Sequence, residues 1–160
     1  MDHPRFLCVL AATATVTLLA GGSALASQPE CFDAEVSARI ARQTPTVMND
    51  CGPDCIVMAW PWIVELDVRR VYSGDLARGP VTVLTVQHTY YNQVRNGRHW
   101  WLRRNTLGTY NVLQPAQGET LQKCAADSPA ASPFIQPPDG KTLDDLRREG
   151  EEYYGPAPYT

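Results

Sequence analysis

The 160-residue sequence is short of the features that mark most activities. Beyond residue 20 it has no apolar run approaching the roughly 20 residues needed to cross a bilayer, so no later membrane span is expected. It lacks an excess of one charge. Its 14 Lys and Arg stand against 17 Asp and Glu, a net charge of −3, so no basic field is on offer and no nucleic-acid partner is expected. Histidine is scarce, at 3 residues, and no Ser sits in a strained strand-to-helix elbow that would expose it as a nucleophile. No glycine-rich loop is spaced to cradle phosphate, and no segment repeats. These absences argue against catalysis and against a bound cofactor.

What is present begins with a leader. Arg5 lies beside the amino terminus, residues 6–20 form a 15-residue uncharged apolar stretch, and Gly21-Gly22-Ser23 breaks any helix. Ala24-Leu25-Ala26 then supplies the small-x-small pattern of a cleavage site, so residues 1–26 read as a secretory signal peptide. The apolar stretch is too short for an uncleaved anchor, and no Cys directly follows the small residues, as a lipoprotein would require. Cleavage after Ala26 leaves 134 residues, enough for one domain with a modest core, in the periplasm or outside the cell.

Export changes how the cysteines read. Cys8 departs with the leader, and Cys31, Cys51, Cys55 and Cys124 are left as an even set, read as two disulfides with three possible connectivities. Pairing Cys31 with Cys124 would tie the first strand to the end of the domain and leave Cys51 and Cys55 to close a small loop; crossed pairings stay open. Cys51-Gly52-Pro53-Asp54-Cys55 resembles the Cys-Gly-Pro-Cys of thioredoxins with one residue too many. It also precedes an extended segment, where no helix dipole would lower a thiol pKa, so a structural role is expected. A four-cysteine zinc site would need every thiol reduced, which export disfavours.

The pattern along the chain is that of a small β domain over 27–124. Val36, Ala38 and Ile40 alternate with Glu35, Ser37 and Arg39, which predicts a strand over 34–43, with a short amphipathic helix as the competing reading. A long strand is expected over 56–72, entered through Pro61, with Trp60 and Trp62 plugging a barrel end. Its alternation slips at Arg69-Arg70, where one extra residue would make a β-bulge. A third strand is expected over 80–94, and Asn96-Gly97, suited to a type I′ turn, joins it to a fourth over 99–104. After a turn at 105–108 comes a fifth strand over 109–114. Sequential pairing would give an antiparallel five-stranded meander. Proline, alanine and serine dominate the later part of 115–140, so 125–140 is expected to be an extended linker. Residues 141–154 are expected to be a helix, with Thr142 and Asp145 forming its cap and Leu143 and Leu146 docking on the barrel.

Residues 35–43, the run VELDVRRVYSG at 64–74, GPVTVLTV at 79–86, and 100–112 bring a family into view. Over 34–114 they resemble the netrin-like domain of the tissue inhibitors of metalloproteinases and bacterial exported proteins of that pattern. The resemblance implies an OB-like five-stranded β-barrel. In the animal inhibitors the mature chain begins with a Cys whose amine and carbonyl chelate the protease metal. Here Ser27-Gln28-Pro29-Glu30 precedes Cys31, so that wedge cannot form and inhibition is not carried over.

The densest chemistry lies in 88–105. Alternation places Trp100 and Leu102 on one face and His99, Trp101 and Arg103 on the other, with His88, Tyr90 and Tyr91 on the neighbouring strand. Aromatic rings beside arginines suit stacking and cation–π contact, so His88, Tyr90, Tyr91, His99, Trp101 and Arg103 form the candidate surface for a sugar, an anionic polymer or an envelope or extracellular protein. The competing reading is internal: the C-terminal tail covers this hairpin, with Arg95, Arg98, Arg103 and Arg104 pairing with Glu149, Glu151 and Glu152. A hydrolase using His88 or His99 and a thiol oxidoreductase at Cys51 and Cys55 are the catalytic alternatives, and a purely structural envelope component is a further one.

Overall fold

Alternation along the chain builds a barrel with a filled interior. In a computed structural model that describes residues 30–48, 52, 56–92 and 99–155, seven strands and one helix form. They are β1 (Cys31–Phe32), β2 (Ala34–Pro45), β3 (Trp60–Ser73), β4 (Gly79–Gln87), β5 (His99–Arg104), β6 (Tyr110–Leu113), β7 (Gln122–Lys123) and α1 (Leu143–Tyr154). The leader, Cys51, Cys55, Arg95, Asn96, Gly97 and Arg98 lie outside the described residues. From β2 the side chains of Ala34, Val36 and Ala38 point inward. They meet Trp62, Val64, Leu66 and Val68 of β3, Val83 of β4, Trp100 and Leu102 of β5 and Val112 of β6 in one buried cluster.

The fold is mainly β, a closed five-stranded barrel in the order β2-β3-β4-β6-β5, with one short C-terminal helix. The antiparallel expectation holds for four of the five ladders and gives way at β4–β6, which run parallel. The simple meander is therefore corrected. β5 does not pair with β4; it pairs with β2 and β6, and β4 ends at Gln87, short of the expected 94. Closure explains the difference, because a meander would leave β2 and the last strand as open edges, whereas crossing β5 back to β2 pairs both. The bulge expected at Arg69-Arg70 is present: Ser37 faces Arg70 while Ala38 faces Val68, so Arg69 is the extra residue. A second shift, between Glu35 and Val36, makes Tyr72 the extra residue of its own bulge.

Buried positions on the barrel exterior draw the C-terminal half onto it. Ile63 of β3 and Leu84 of β4 face outward and pack with Ile135, Leu143 and Leu146. The segment before α1 is thus a fixed strap. The Asn111 amide donates to the Ser132 carbonyl at 2.7 Å and its oxygen accepts from the Phe134 N–H at 3.1 Å. Backbone bonds add to this, with Ala131 N–H donating to Arg104 and Thr106 N–H donating to Ala131. At the helix start Thr142 and Asp145 form the expected capping box. Arg147 then pairs with Glu65 of β3, and Arg42 of β2 with Glu151.

The disulfide joins Cys31 to Cys124, 93 residues apart, beside the short parallel β1–β7 ladder. That pairing excludes the crossed connectivities. Gly74 ends β3 where the chain passes close to β2: its φ is +97°, and a Cβ there would lie 2.2 Å from the Asp33 carbonyl oxygen, so only glycine fits.

Candidate functional site

The six side chains singled out from the sequence fall in three places. His99 and Trp101 point outward from β5, as alternation required, while Trp100 and Leu102 enter the core. On the ladder with β2, His99 faces Ser37 and Trp101 faces Glu35. The middle strand carries the short Ser37 at this level, so rings from the strands on either side can lean across it. Tyr72 of β3 and His99 of β5 meet face to face, with ring centres 4.3 Å apart and planes 17° from parallel. Trp101 follows at 6.2 Å from His99, and the Arg70 guanidinium lies over the Tyr72 ring at 5.0 Å from its centre. The result is a row, Arg70–Tyr72–His99–Trp101, across the outer face of β3, β2 and β5.

The electrostatics of the row come from its neighbours. His99 Nδ1 donates to the Glu35 carboxylate at 2.5 Å, which orients the ring and leaves Nε2 as its other polar atom. Arg69 is paired with Asp67 at 2.6 Å. Among the described residues neither Arg39 nor Arg70 has a carboxylate within salt-bridge distance, so both guanidinium groups remain available. Tyr72, Arg70, Arg39 and Glu35 were absent from the sequence-based candidate set. For Arg70 and Tyr72 the signal was the slip in alternation at VRRVYSG, because bulges turn successive side chains toward one face; for Glu35 and Arg39 it was their place on the polar phase of the first strand.

His88, Tyr90 and Tyr91 lie apart from this row, at one end of the barrel. Tyr90 packs edge-on against Trp62 at 4.6 Å, and Trp62 donates to the Gln87 carbonyl at 3.0 Å. Burial, with the neighbouring Tyr154 adding to it, pushes the Tyr90 hydroxyl above the ordinary tyrosine range. Tyr91 is clamped by the buried Gln43, whose amide donates to its carbonyl at 2.9 Å and whose oxygen accepts from its N–H at 2.8 Å. The Tyr91 hydroxyl meets Thr85 at 2.9 Å. His88 Nδ1 donates to the Met58 carbonyl at 2.7 Å. Trp62 and both tyrosines therefore close the barrel end, a packing role.

Arg103 is an internal tie. It donates to Asp33 at 2.8 Å and to the Pro129 carbonyl, and only 12% of its side chain is exposed. The same Asp33 oxygen accepts from the Arg104 N–H at 2.6 Å. The tail does hold an arginine of 88–105, but through the single Pro129 carbonyl, while the carboxylate partner is Asp33, just before β2. Glu149 and Glu151 instead pair with Lys141 and Arg42.

Among the described residues no three His, Cys, Asp or Glu side chains are grouped to hold a metal ion, and no helix is long and apolar enough to cross a membrane. Comparison of the chain with protein-family models, with curated proteins and with solved structures finds no match in any of the three.

Proposed function

We propose that this protein is an exported, non-catalytic binding module that engages an anionic polymer on the outer face of β3, β2 and β5. The observation that carries this reading is the row Arg70–Tyr72–His99–Trp101, exposed at Arg70, Tyr72 and His99 and half-buried at Trp101, with Tyr72 stacked on His99 at 4.3 Å. Its exposed polar groups are mainly donors, and two arginines lack carboxylate partners among the described residues, which complements negative charge. Glu35 holds His99 in one orientation, so the row is ordered before a ligand arrives and little entropy is lost on binding. Export is supported by the leader at 1–26 and by a disulfide of the kind that persists in oxidising compartments. The netrin-like resemblance belongs to the same reading, which takes the barrel as a binding scaffold of that kind without the inhibitors' metal-chelating wedge.

The test is a binding panel on the mature chain, comprising a polyuronate, a sulfated polysaccharide, inorganic polyphosphate and a neutral dextran. At least one polyanion should bind and dextran should not. The double variant Arg70→Ala with Trp101→Ala should lose that binding while its thermal midpoint stays near that of the parent. Binding that survives in the double variant, or no polyanion binding at all, would refute the assignment.

A further inference from the structure

Resting on that reading, we infer that the row takes a linear chain of uronic acid residues. Arg39 and Arg70 would receive two carboxylates, and one pyranose ring would lie against Trp101. The charge count on this face decides for a sparse polyanion. Arg39, Arg69 and Arg70 stand near Glu35 and Asp67; Asp67 neutralises Arg69 at 2.6 Å and Glu35 is committed to His99 at 2.5 Å. Two unpaired cations remain. A polysulfate or nucleic acid brings several charges per turn and would meet the two carboxylates head-on, whereas a polymer with one carboxylate per ring needs no more than two cations over a short contact.

The spacing of the cations agrees. Arg70 faces Ser37 across the β2–β3 ladder, and Arg39 lies two positions along β2, so the two are diagonal neighbours separated by roughly 7–8 Å at Cα. Flexible arginine side chains at that separation can follow charges on successive or alternate residues of a chain.

The rings fix the rest of the ligand. Tyr72 is stacked on His99 and has the Arg70 guanidinium 5.0 Å from its ring centre, so its edge and hydroxyl are the contacts it would offer a sugar. One face of His99 lies against Tyr72, and its Nδ1 is bonded, so Nε2 is its remaining polar contact. Trp101 ends the row, half-buried and tilted 51° from His99 at 6.2 Å, and is the ring against which the sugar would lie. One stacking position flanked by hydroxyl and imidazole edges suits a sugar, with an apolar ring face and hydroxyls at its rim. A single-stranded nucleic acid would call for several successive stacking platforms.

The experiment uses the mature chain with a polygalacturonate fragment, a heparin fragment and dextran, read by tryptophan fluorescence and calorimetry at two salt concentrations. Polygalacturonate should bind most tightly. Release of about two counterions predicts that its affinity falls roughly tenfold between about 50 and about 200 mM salt. Arg39→Ala and Arg70→Ala should each flatten that dependence by about half, and Arg70→Lys should restore it. Trp101→Ala should weaken binding about tenfold or more and leave the salt dependence unchanged; Trp101→Phe should keep most of the affinity. Tighter binding of heparin with a salt dependence twice as steep would overturn the uronate assignment while leaving an anion-binding row in place. So would polygalacturonate binding indifferent to Trp101→Ala. Binding of no polymer, or binding unchanged by both arginine substitutions, would overturn the binding row itself.

Discussion

Replacing Gly150 with alanine should destabilise this protein, although the same change at an exposed helix position normally stabilises. Gly150 sits inside α1 and is its one buried residue. On propensity alone, alanine would gain about 1 kcal/mol over glycine there. A Cβ at this position, however, would lie 2.1 Å from the Pro45 carbonyl oxygen and 2.9 Å from Thr44 Cγ2. The first obstacle is backbone at the end of β2, and Thr44 is buried, so neither can swing aside. Overpacking of this kind costs about 1–3 kcal/mol, and contact with backbone places it at the upper end. The balance is a net loss of about 2 kcal/mol, or a thermal midpoint lower by roughly 5–10 °C. Relief by lifting α1 would also open the Arg42–Glu151 pair and the Thr44–Glu151 contact, so the loss should appear in α1 amide protection as well. Urea unfolding of the variant beside Glu152→Ala, on the exposed side of the helix, provides the measurement. A Gly150→Ala protein more stable than its parent would show that α1 is not seated against β2.

Three other perturbations separate the ties that hold the strap and termini. The Asp145 carboxyl is held at about 2 by hydrogen bonds from the Thr142 hydroxyl and backbone, with Arg148 assisting. A depressed folded pKa means the cap contribution is present above the ordinary carboxylate pKa, near 3.9, and is lost as pH falls through about 2. A carboxyl NMR titration should find this value, and in Thr142→Ala it should move back toward the ordinary range, with a helix loss of about 1 kcal/mol. Asp33→Ala leaves the mostly covered Arg103 guanidinium and the Arg104 N–H short of an acceptor, at a cost of about 2–3 kcal/mol. A double-mutant cycle with Arg103→Ala should show strong coupling, and simple additivity would rule out the tie. Removing both Cys31 and Cys124 as alanines opens a loop spanning 93 residues, for which chain entropy predicts about 4–5 kcal/mol; equal denaturation midpoints with and without the bond would contradict that.

Barrel strands were legible wherever one face alone is buried. The alternation of 34–40 and of 64–68 places the inward residues correctly, because a period of two has only two phases and the apolar one must face the core; past the shift between Ile40 and Arg42 the phase changes and Gln43 is buried. Topology was not legible. Asn96-Gly97 argues for pairing of the flanking strands, a local preference, whereas β5 pairs with β2 to close the barrel, a non-local demand that no turn residue reports. The strand expected to run to 94 stops at Gln87 for a related reason: Tyr90 and Tyr91 have strand-like composition but are used to plug the barrel end against Trp62 and Gln43. The strap was also hidden in part, although Ile63 between Trp62 and Val64 breaks the alternation as two-sided burial does. Arg103 shows the limit at the site. Its charge could be read from the sequence, but its partner Asp33, 70 residues away, could not.

The packing of the exterior decides where a ligand can go. In OB-type barrels the second and third strands commonly carry the binding face, and here those are β3 and β4. Their outer side chains Ile63 and Leu84 are sealed under Ile135 and α1, and baring them would expose apolar surface that the strap now buries. The exterior of β5 and β6 beyond Trp101 is crossed by the strap segment held at Arg103 and Asn111. What stays open is the stretch where β3 bulges twice beside the small Ser37, and the bulges add Arg69 and Tyr72 to it. The β2–β3 ladder holds a third shift, between Ile40 and Arg42, so irregularity by itself does not mark a site; its position does. The two bulges of β3 lie beside Ser37, which faces His99, and Glu35, which faces Trp101, so they bring Arg70 and Tyr72 to the place where the proposed ligand would sit.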